Sequence, residues 1–334
     1  MRVSEWDETA FVAQIEAHRR ELLVHCYRLM GSIQDADDMV QETMLRAWLR
    51  RESIDELSSL RAWLYKVATN LCLDALKRRS KRRIPATHQT EATLSEPIPE
   101  DIDDPIWLEP YPSSPLLTSD GQHPEDLVVA HEDITLAFIV VLHRLPPRQR
   151  AVLILRDVLD WSANEVAALL DTTIPAVKSA LHRARSILAQ SRVSPDVDLS
   201  WKIDSTIAAL LSAYVAAWEA ADIDTFVRLL TDDATFSMPP IPAWYRGRET
   251  VRALVSRTIF AGQACGRWHL LPTCANGQPA FGVYRQTANP RLYAAYGIQV
   301  VRLVGQMIGD VITFRDAALV MRFGLPGTLE EKRL

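Results

Sequence analysis

Cysteine, glycine, lysine and long apolar runs are all scarce in this chain, and each scarcity excludes something. The 334 residues hold four scattered cysteines (Cys26, Cys72, Cys265, Cys274), with no CxxC pair and no histidine at zinc-ligand spacing. No disulfide framework, metal or cofactor is expected, and the thiols read as buried and reduced. Twelve glycines and 19 prolines are too few for a fibrous or low-complexity protein. No run approaches the ~20 apolar residues of a membrane-spanning helix. The nearest stretch, 206–218, is short and carries Thr206, Ser212 and Tyr214. The N-terminus opens on Glu5, Asp7 and Glu8 rather than on a basic-then-apolar signal. A cytoplasmic protein without a membrane partner is therefore expected. Lysine is outnumbered by arginine 6 to 31, which fits a high-GC genome and says nothing about chemistry.

What is abundant is helical patterning and unevenly placed charge. The length predicts two or three domains. The net charge of −5 hides a marked asymmetry. Residues 1–83 are net +2, ending in the run Lys77, Arg78, Arg79, Lys81, Arg82 and Arg83. Residues 84–127 hold ten acids and no Lys or Arg, together with eight prolines from Pro85 to Pro124. Such a tract reads as an extended, largely disordered linker, placed at 84–125. Residues 128–192 return to net +2, and the remainder is net +1. An acidic strap therefore joins two mildly basic modules, at 8–83 and 126–192.

The first module reads as helix throughout. Ala36, Val40, Met44 and Ala47 form one apolar stripe, while Asp38, Gln41 and Glu42 share a separate polar face. By spacing alone that face is either solvated or a docking surface. In the helix from about Leu60 to Arg83, Leu64, Ala68, Leu71 and Ala75 form the core side. Trp63, Lys66, Asn70 and Lys77 recur on another side. An exposed aromatic among cations and an amide suits single-stranded nucleic acid, which needs stacking, phosphate contacts and an edge reader. A core position for Trp63 is the competing reading.

In the second module Pro146-Pro147 breaks the chain before a helix over 148–159. Ser162-Ala163-Asn164-Glu165 is a capping box, Asp171-Thr172 a tight turn, and Thr173 a cap for a further helix with Pro175 in its first turn. Val177, Leu181, Ala184 and Leu188 face inward in that helix. Ala176, Lys178, Ser179, His182, Arg183 and Arg185 stay outside, the pattern of a helix-turn-helix.

Three stretches carry a resemblance: DADDMVQETMLRAW (35–48), LRAWLYKVATNLCLDALKRR (60–79) and LPPRQRAVLILRDVLDWSANEVAALLDTTIPAVKSALHRAR (145–185). Together they resemble the extracytoplasmic-function (ECF) sigma factors of the sigma-70 superfamily, in the order of regions 2 and 4. The resemblance implies that Asp38, Gln41 and Glu42 bind core RNA polymerase at the β′ clamp, with further contacts to the β subunit. It implies that Trp63, Lys66, Asn70, Lys77, Arg78 and Arg79 handle the −10 promoter element. The helix from Thr173, with Ala176, Lys178, Ser179, His182, Arg183 and Arg185, would read the −35 element. The linker's negative charge would suit a groove built for nucleic acid.

About 140 residues follow the second module. Helices are expected over 203–220 and 225–230, then strands at 268–271, 280–286, 292–296, 298–304 and 307–314, an α+β order. With TDDATFSMPPIPAWYRGRETV at 231–251, this part (203–323) resembles a SnoaL-like domain of the NTF2-like fold, a cone with a pocket. The fold class is therefore multidomain: two all-α modules and a C-terminal α+β cone. Trp244, Tyr245, Trp268 and Tyr284 are pocket candidates, for a small-molecule ligand or simply as aromatic core. Asp222, Asp232, Asp233, His269, Tyr284 and Tyr296 are the available acid–base groups, with no pair standing out. A sigma factor modulated by its C-terminal domain, and not an enzyme, is expected. The competing reading is a SnoaL-type enzyme or ligand sensor fused to a DNA-binding regulator.

Overall fold

A computed structural model describes residues 8–51, 57–78, 91–94, 108–113, 136–190 and 204–330. The chain divides into two compact units, Met1–Arg82 with Leu136–Val197, and Arg83–Thr135 with Asp198–Leu334.

The first unit is all helical. It contains α1 (Glu8–Ala17), α2 (Arg19–Met30), α3 (Ile33–Leu49), α4 (Leu57–Lys77), α5 (Leu136–Leu142), α6 (Pro147–Leu153), α7 (Ala163–Leu169) and α8 (Ile174–Gln190). Ser32 starts α3 by accepting the Asp35 N–H at 3.2 Å, which satisfies one orphan amide of the first turn. The expected stripe of α3 (Ala36, Val40, Met44, Ala47) is buried. In α4 Leu64 and Ala68 are buried, whereas Leu71 and Ala75 are half-buried. The helix expected over 148–159 is not uniform: α6 gives way at Ile154–Val158 to a π turn.

Arg150 ties this unit together. Its buried guanidinium donates to the carbonyls of Leu142, His143 and Leu145, and to that of Leu29 at the end of α2. These are carbonyls that helix ends leave without an intrahelical partner. A single planar five-donor group meets several of them at once.

The second unit is α+β: α9 (Ser205–Glu219), α10 (Ile223–Arg228), β1 (Leu230–Ser237), β2 (Trp244–Arg246), α11 (Arg248–Arg257), β3 (Trp268–Ala275), β4 (Gln278–Gln286), β5 (Leu292–Val304), β6 (Met307–Phe314), α12 (Ala317–Arg322) and β7 (Thr328–Glu330). The strands form one sheet in the order β2-β1-β6-β5-β4-β3, with β7 on β5; β1 and β6 run parallel and the other pairs antiparallel. The two strands expected at 292–296 and 298–304 are one long strand with irregular register. Val283 faces Gly297 but Tyr284 faces Ala295, so Tyr296 is the extra residue of a bulge. Bulges bend a strand and sharpen its twist, which curves the sheet around its core. Gly297 is required there, because a Cβ would lie 2.0 Å from the Phe314 carbonyl oxygen. The core beneath the sheet is aromatic: Trp218 meets Phe226 at 5.4 Å and Phe260 at 5.4 Å between ring centroids.

Two sequence expectations need correction. Segments 91–94 and 108–113 of the proline-rich linker are not free strands of coil but pack onto the second unit. Ala92 donates to the Trp244 carbonyl at 2.9 Å, and Arg257 donates to that of Leu94 at 3.0 Å. Tyr111 and Asn276 exchange two hydrogen bonds of 2.8 Å, and Leu108 is buried. Proline removes only its own donor, and the N–H groups, carbonyls and apolar side chains of the residues between the prolines make the contacts. The rest of 84–125 lies outside the described residues. Secondly, Cys26, Cys72 and Cys274 are buried, but Cys265 is exposed in the irregular segment before β3. Among the described residues, no helix is long and apolar enough to cross a membrane.

Candidate functional site

On α3, Asp38 and Gln41 are exposed and Glu42 half-exposed. Gln41 donates to Asp37 at 2.8 Å and Arg46 pairs with Glu42 at 2.7 Å. Two further residues lie on this face at 3.6-residue spacing, and they were missed by reading the acids alone. Leu45 is 51% exposed and Leu49 is 69% exposed. The available signal was that both fall off the core stripe, at seven and eleven residues from Asp38. An acidic rim beside two uncovered leucines has the composition of a docking face.

On α4, Trp63 and Asn70 are half-buried, while Lys77 and Arg78 are exposed. Neither reading of Trp63 holds fully, since the ring is partly covered and partly accessible. Arg79 lies outside the described residues, as do Lys81, Arg82 and Arg83. Lys66 is engaged: its Nζ donates to Asp171 at 2.7 Å and to the Ala168 carbonyl at 3.3 Å. A candidate −10 contact is thus held in the helix-turn-helix turn. Tyr65 and Trp161 pack at 5.3 Å beside it, with the Arg61 guanidinium 5.0 Å over Tyr65.

The helix-turn-helix forms as its signals predict. Ser162 accepts the Glu165 N–H at 3.2 Å while the Glu165 carboxylate accepts the Ser162 N–H at 2.7 Å. That carboxylate is held below its ordinary pKa by the same contact. Thr173 accepts the Ala176 N–H at 3.3 Å and opens α8. Thr173, Ala176, Lys178, Ser179, His182, Arg183 and Arg185 are all exposed, opposite buried Val177 and Ala184. Arg185 makes a two-pronged contact to Asp157 at 2.7 and 2.9 Å, and Arg183 donates to Ser179 at 2.6 Å. Lys178 and His182 have no such partner among the described residues.

The second unit encloses a cavity of about 220 Å³ between α9, the segment after α11, and β3 to β6. Of the four pocket candidates, only Trp268 lines it. Tyr284 is buried on the opposite side of β4, because Val283 and Arg285 take the cavity side and side chains alternate along a strand. Its hydroxyl donates to the Pro326 carbonyl at 2.8 Å. Tyr245 is core, and Trp244 is half-buried beside the linker segment. The sequence reading missed Trp218 and Thr313, and named Tyr296 as an acid–base group but not as a pocket residue; all three line the cavity with Trp268. Tyr296 arrives through the β5 bulge, which no local pattern announces. Of the acid–base candidates only Tyr296 lines it. Asp222 caps α10, Asp232 and Asp233 pair with Arg248 and Arg246, and His269 pairs with Glu219 at 2.8 Å.

A capped helix-turn-helix packed with a helical bundle, in one chain with an α+β cone, is the architecture of a multidomain protein of the DNA-binding class. Family models agree: sigma-70 region 2 matches residues 14–82, sigma-70 region 4 matches 135–188, and a SnoaL-like domain matches 211–317. The ECF RNA polymerase sigma factor SigG of Mycobacterium tuberculosis is 41% identical over 321 residues, covering 96% of this chain and 85% of that one. SigJ of the same species is 35% identical over 229 residues, 68% of this chain and 64% of that one. The crystal structure of SigJ superposes with a TM-score of 0.59 at 25% identity, covering 95% of this chain and 99% of that one. The chain belongs to the ECF sigma factors of RNA polymerase, in the form that carries a SnoaL-like domain at its C-terminal end.

Proposed function

We propose that this sigma factor docks on the β′ clamp of core RNA polymerase through the α3 face of Asp38, Gln41, Glu42, Leu45 and Leu49, with the β subunit as a further contact. The observation that carries the reading is the pair of uncovered leucines inside an acidic rim on a helix whose opposite side is fully buried. The accessible side of α4, with Trp63, Lys66, Asn70 and Lys77, handles the −10 strand by stacking and phosphate contacts, joined by Arg78 and Arg79 that follow in the sequence. The N-terminal half of α8 enters the −35 major groove, where Ser179 and His182 face bases and Lys178 and Arg183 meet phosphates. Lys66 spends two of its three ammonium donors on Asp171 and the Ala168 carbonyl, so a phosphate contact competes with that ion pair. The pair is exposed and therefore worth at most ~1 kcal/mol.

The C-terminal domain acts as a modulator that binds rather than converts a small molecule. In support, among the described residues no carboxylate or imidazole lines its cavity, and Tyr296 is the one acid–base candidate there, with no partner group to make an acid–base pair. Its hold on linker segments 91–94 and 108–113 supplies a route for modulation, since linker bound to this domain is unavailable to a polymerase groove. Reconstituted transcription tests the whole reading. Full-length protein added to core polymerase should give start-site-specific transcripts in the cytoplasmic milieu it suits; failure to associate with core removes it.

A further inference from the structure

Among the described residues, the charged groups that line the C-terminal cavity are all arginines. Arg267 and Arg315 are half-buried at its edge, and Arg285 is exposed where the cavity reaches solvent. Arg267 gives one N–H to the Gln263 carbonyl at 2.9 Å. The guanidinium of Arg285 lies 5.8 Å from the Trp268 ring centroid and that of Arg315 lies 5.7 Å from that of Tyr296. Among the described residues, neither Arg267 nor Arg285 has a carboxylate partner. Three cations therefore gather around one space with no anion in its lining.

The inner wall repeats the theme. The Tyr214 hydroxyl donates to Gln299 Oε1 at 2.7 Å, and Gln299 Nε2 donates to Thr313 Oγ1 at 2.8 Å. Burial raises the Tyr214 pKa, keeping it a donor. Thr313 accepts that bond on one of its two lone pairs and keeps its own proton to give. Arg315 stands two residues past Thr313, just beyond the end of β6, and both line the cavity. Trp218, which also lines the cavity, has a buried Nε1–H with no acceptor among the described residues. Buried donors without acceptors are costly, and a cavity that collects them is short of an electron-rich guest.

The remainder of the wall is apolar and aromatic. A dry cavity of ~150 Å³ suffices for benzene, so about 220 Å³ accommodates a one- or two-ring body. We propose that this cavity is a receptor site for a small aromatic carboxylate. Its rings lie among Trp218, Trp268 and Tyr296, and its carboxylate meets the arginines and Thr313. The arginine fork matches a carboxylate in two-pronged geometry. This proposal rests on the reading of the C-terminal domain as a binding module.

The test is calorimetric titration of the full-length protein with 1-naphthoate and benzoate, each beside its neutral amide. The acids should bind at least tenfold more tightly than the amides. Arg285→Gln and Arg267→Gln, both outside the apolar core, should each remove most of that preference while leaving the amide affinities and the melting temperature unchanged. Equal affinity for acid and amide overturns the anion specificity while leaving a ligand site in place. Failure of all four probes to bind overturns the receptor site and the binding-module reading together. Neither outcome touches the sigma assignment, which transcription reads separately.

Discussion

Removing the two leucine side chains from the outer face of α3 should weaken polymerase binding without weakening the fold. Leu45 is 51% and Leu49 is 69% exposed in the free protein. Complete burial of a leucine is worth ~1.5–3 kcal/mol. Covering the exposed half of Leu45 and two thirds of Leu49 in a complex is thus worth roughly 1–2 kcal/mol each. At ~1.4 kcal/mol per tenfold in affinity, the double variant Leu45→Ala, Leu49→Ala should raise Kd for core polymerase roughly 30- to 700-fold. Truncation at exposed positions away from caps and core changes stability by only ~0.5 kcal/mol. Alanine is also a better helix former than leucine. The assay is equilibrium binding of labelled protein to core polymerase, paired with a thermal melt of the free protein. An unchanged Kd would refute the docking face; a Tm drop of many degrees would refute the claim that these leucines are uncovered.

Other consequences can be measured as directly. Burial first, then the charges of Arg28 and Arg61, pulls His25 from 6.5 to about 3. The folded state therefore resists a proton that the unfolded chain accepts below pH 6.5, so stability is full above that pH and declines as pH falls from 6.5 toward 3. The loss should reach about 2 kcal/mol at pH 5; denaturant titrations at pH 7.5 and 5.0 showing the same slope for His25→Gln would contradict it. Lys178→Ala should weaken binding to all promoter duplexes alike and reduce the salt slope of log K by about 1; His182→Ala should instead alter base preference, with binding across a mutated −35 panel separating the two. Asn276, whose side chain accepts the Tyr111 N–H at 2.8 Å while its own N–H donates back, sits at φ 52. Asn276→Ala should lower the melting temperature of the C-terminal unit through a loss of ~1–3 kcal/mol and speed proteolysis within 108–113. Unchanged cleavage would mean that the strap does not depend on this pair.

Much of this protein could be read from neighbouring residues alone. The capping box at Ser162 and Glu165, the Thr173 cap and the α3 stripe depend on groups within four positions of one another, so local pattern specifies them. The multidomain α and α+β organisation follows from runs of such local signals. The sheet's later strands are placed to within a few residues for the same reason, because alternation and turn residues act over short spans. Three outcomes needed the tertiary structure. Leu45 and Leu49 are apolar like the core residues beside them, and only packing shows that no described residue covers them. Lys66 has the spacing of a free basic face but meets Asp171, more than a hundred positions away, through folding of the helical unit. The cavity lining depends on which side of each strand faces inward, and the bulge at Tyr296 resets that parity in β5. Trp268 therefore reaches the cavity while Tyr284 does not. Local sequence determines which elements form. The arginine-edged space between them exists only because distant strands curve around it, and that curvature arises from long-range register that no short window contains.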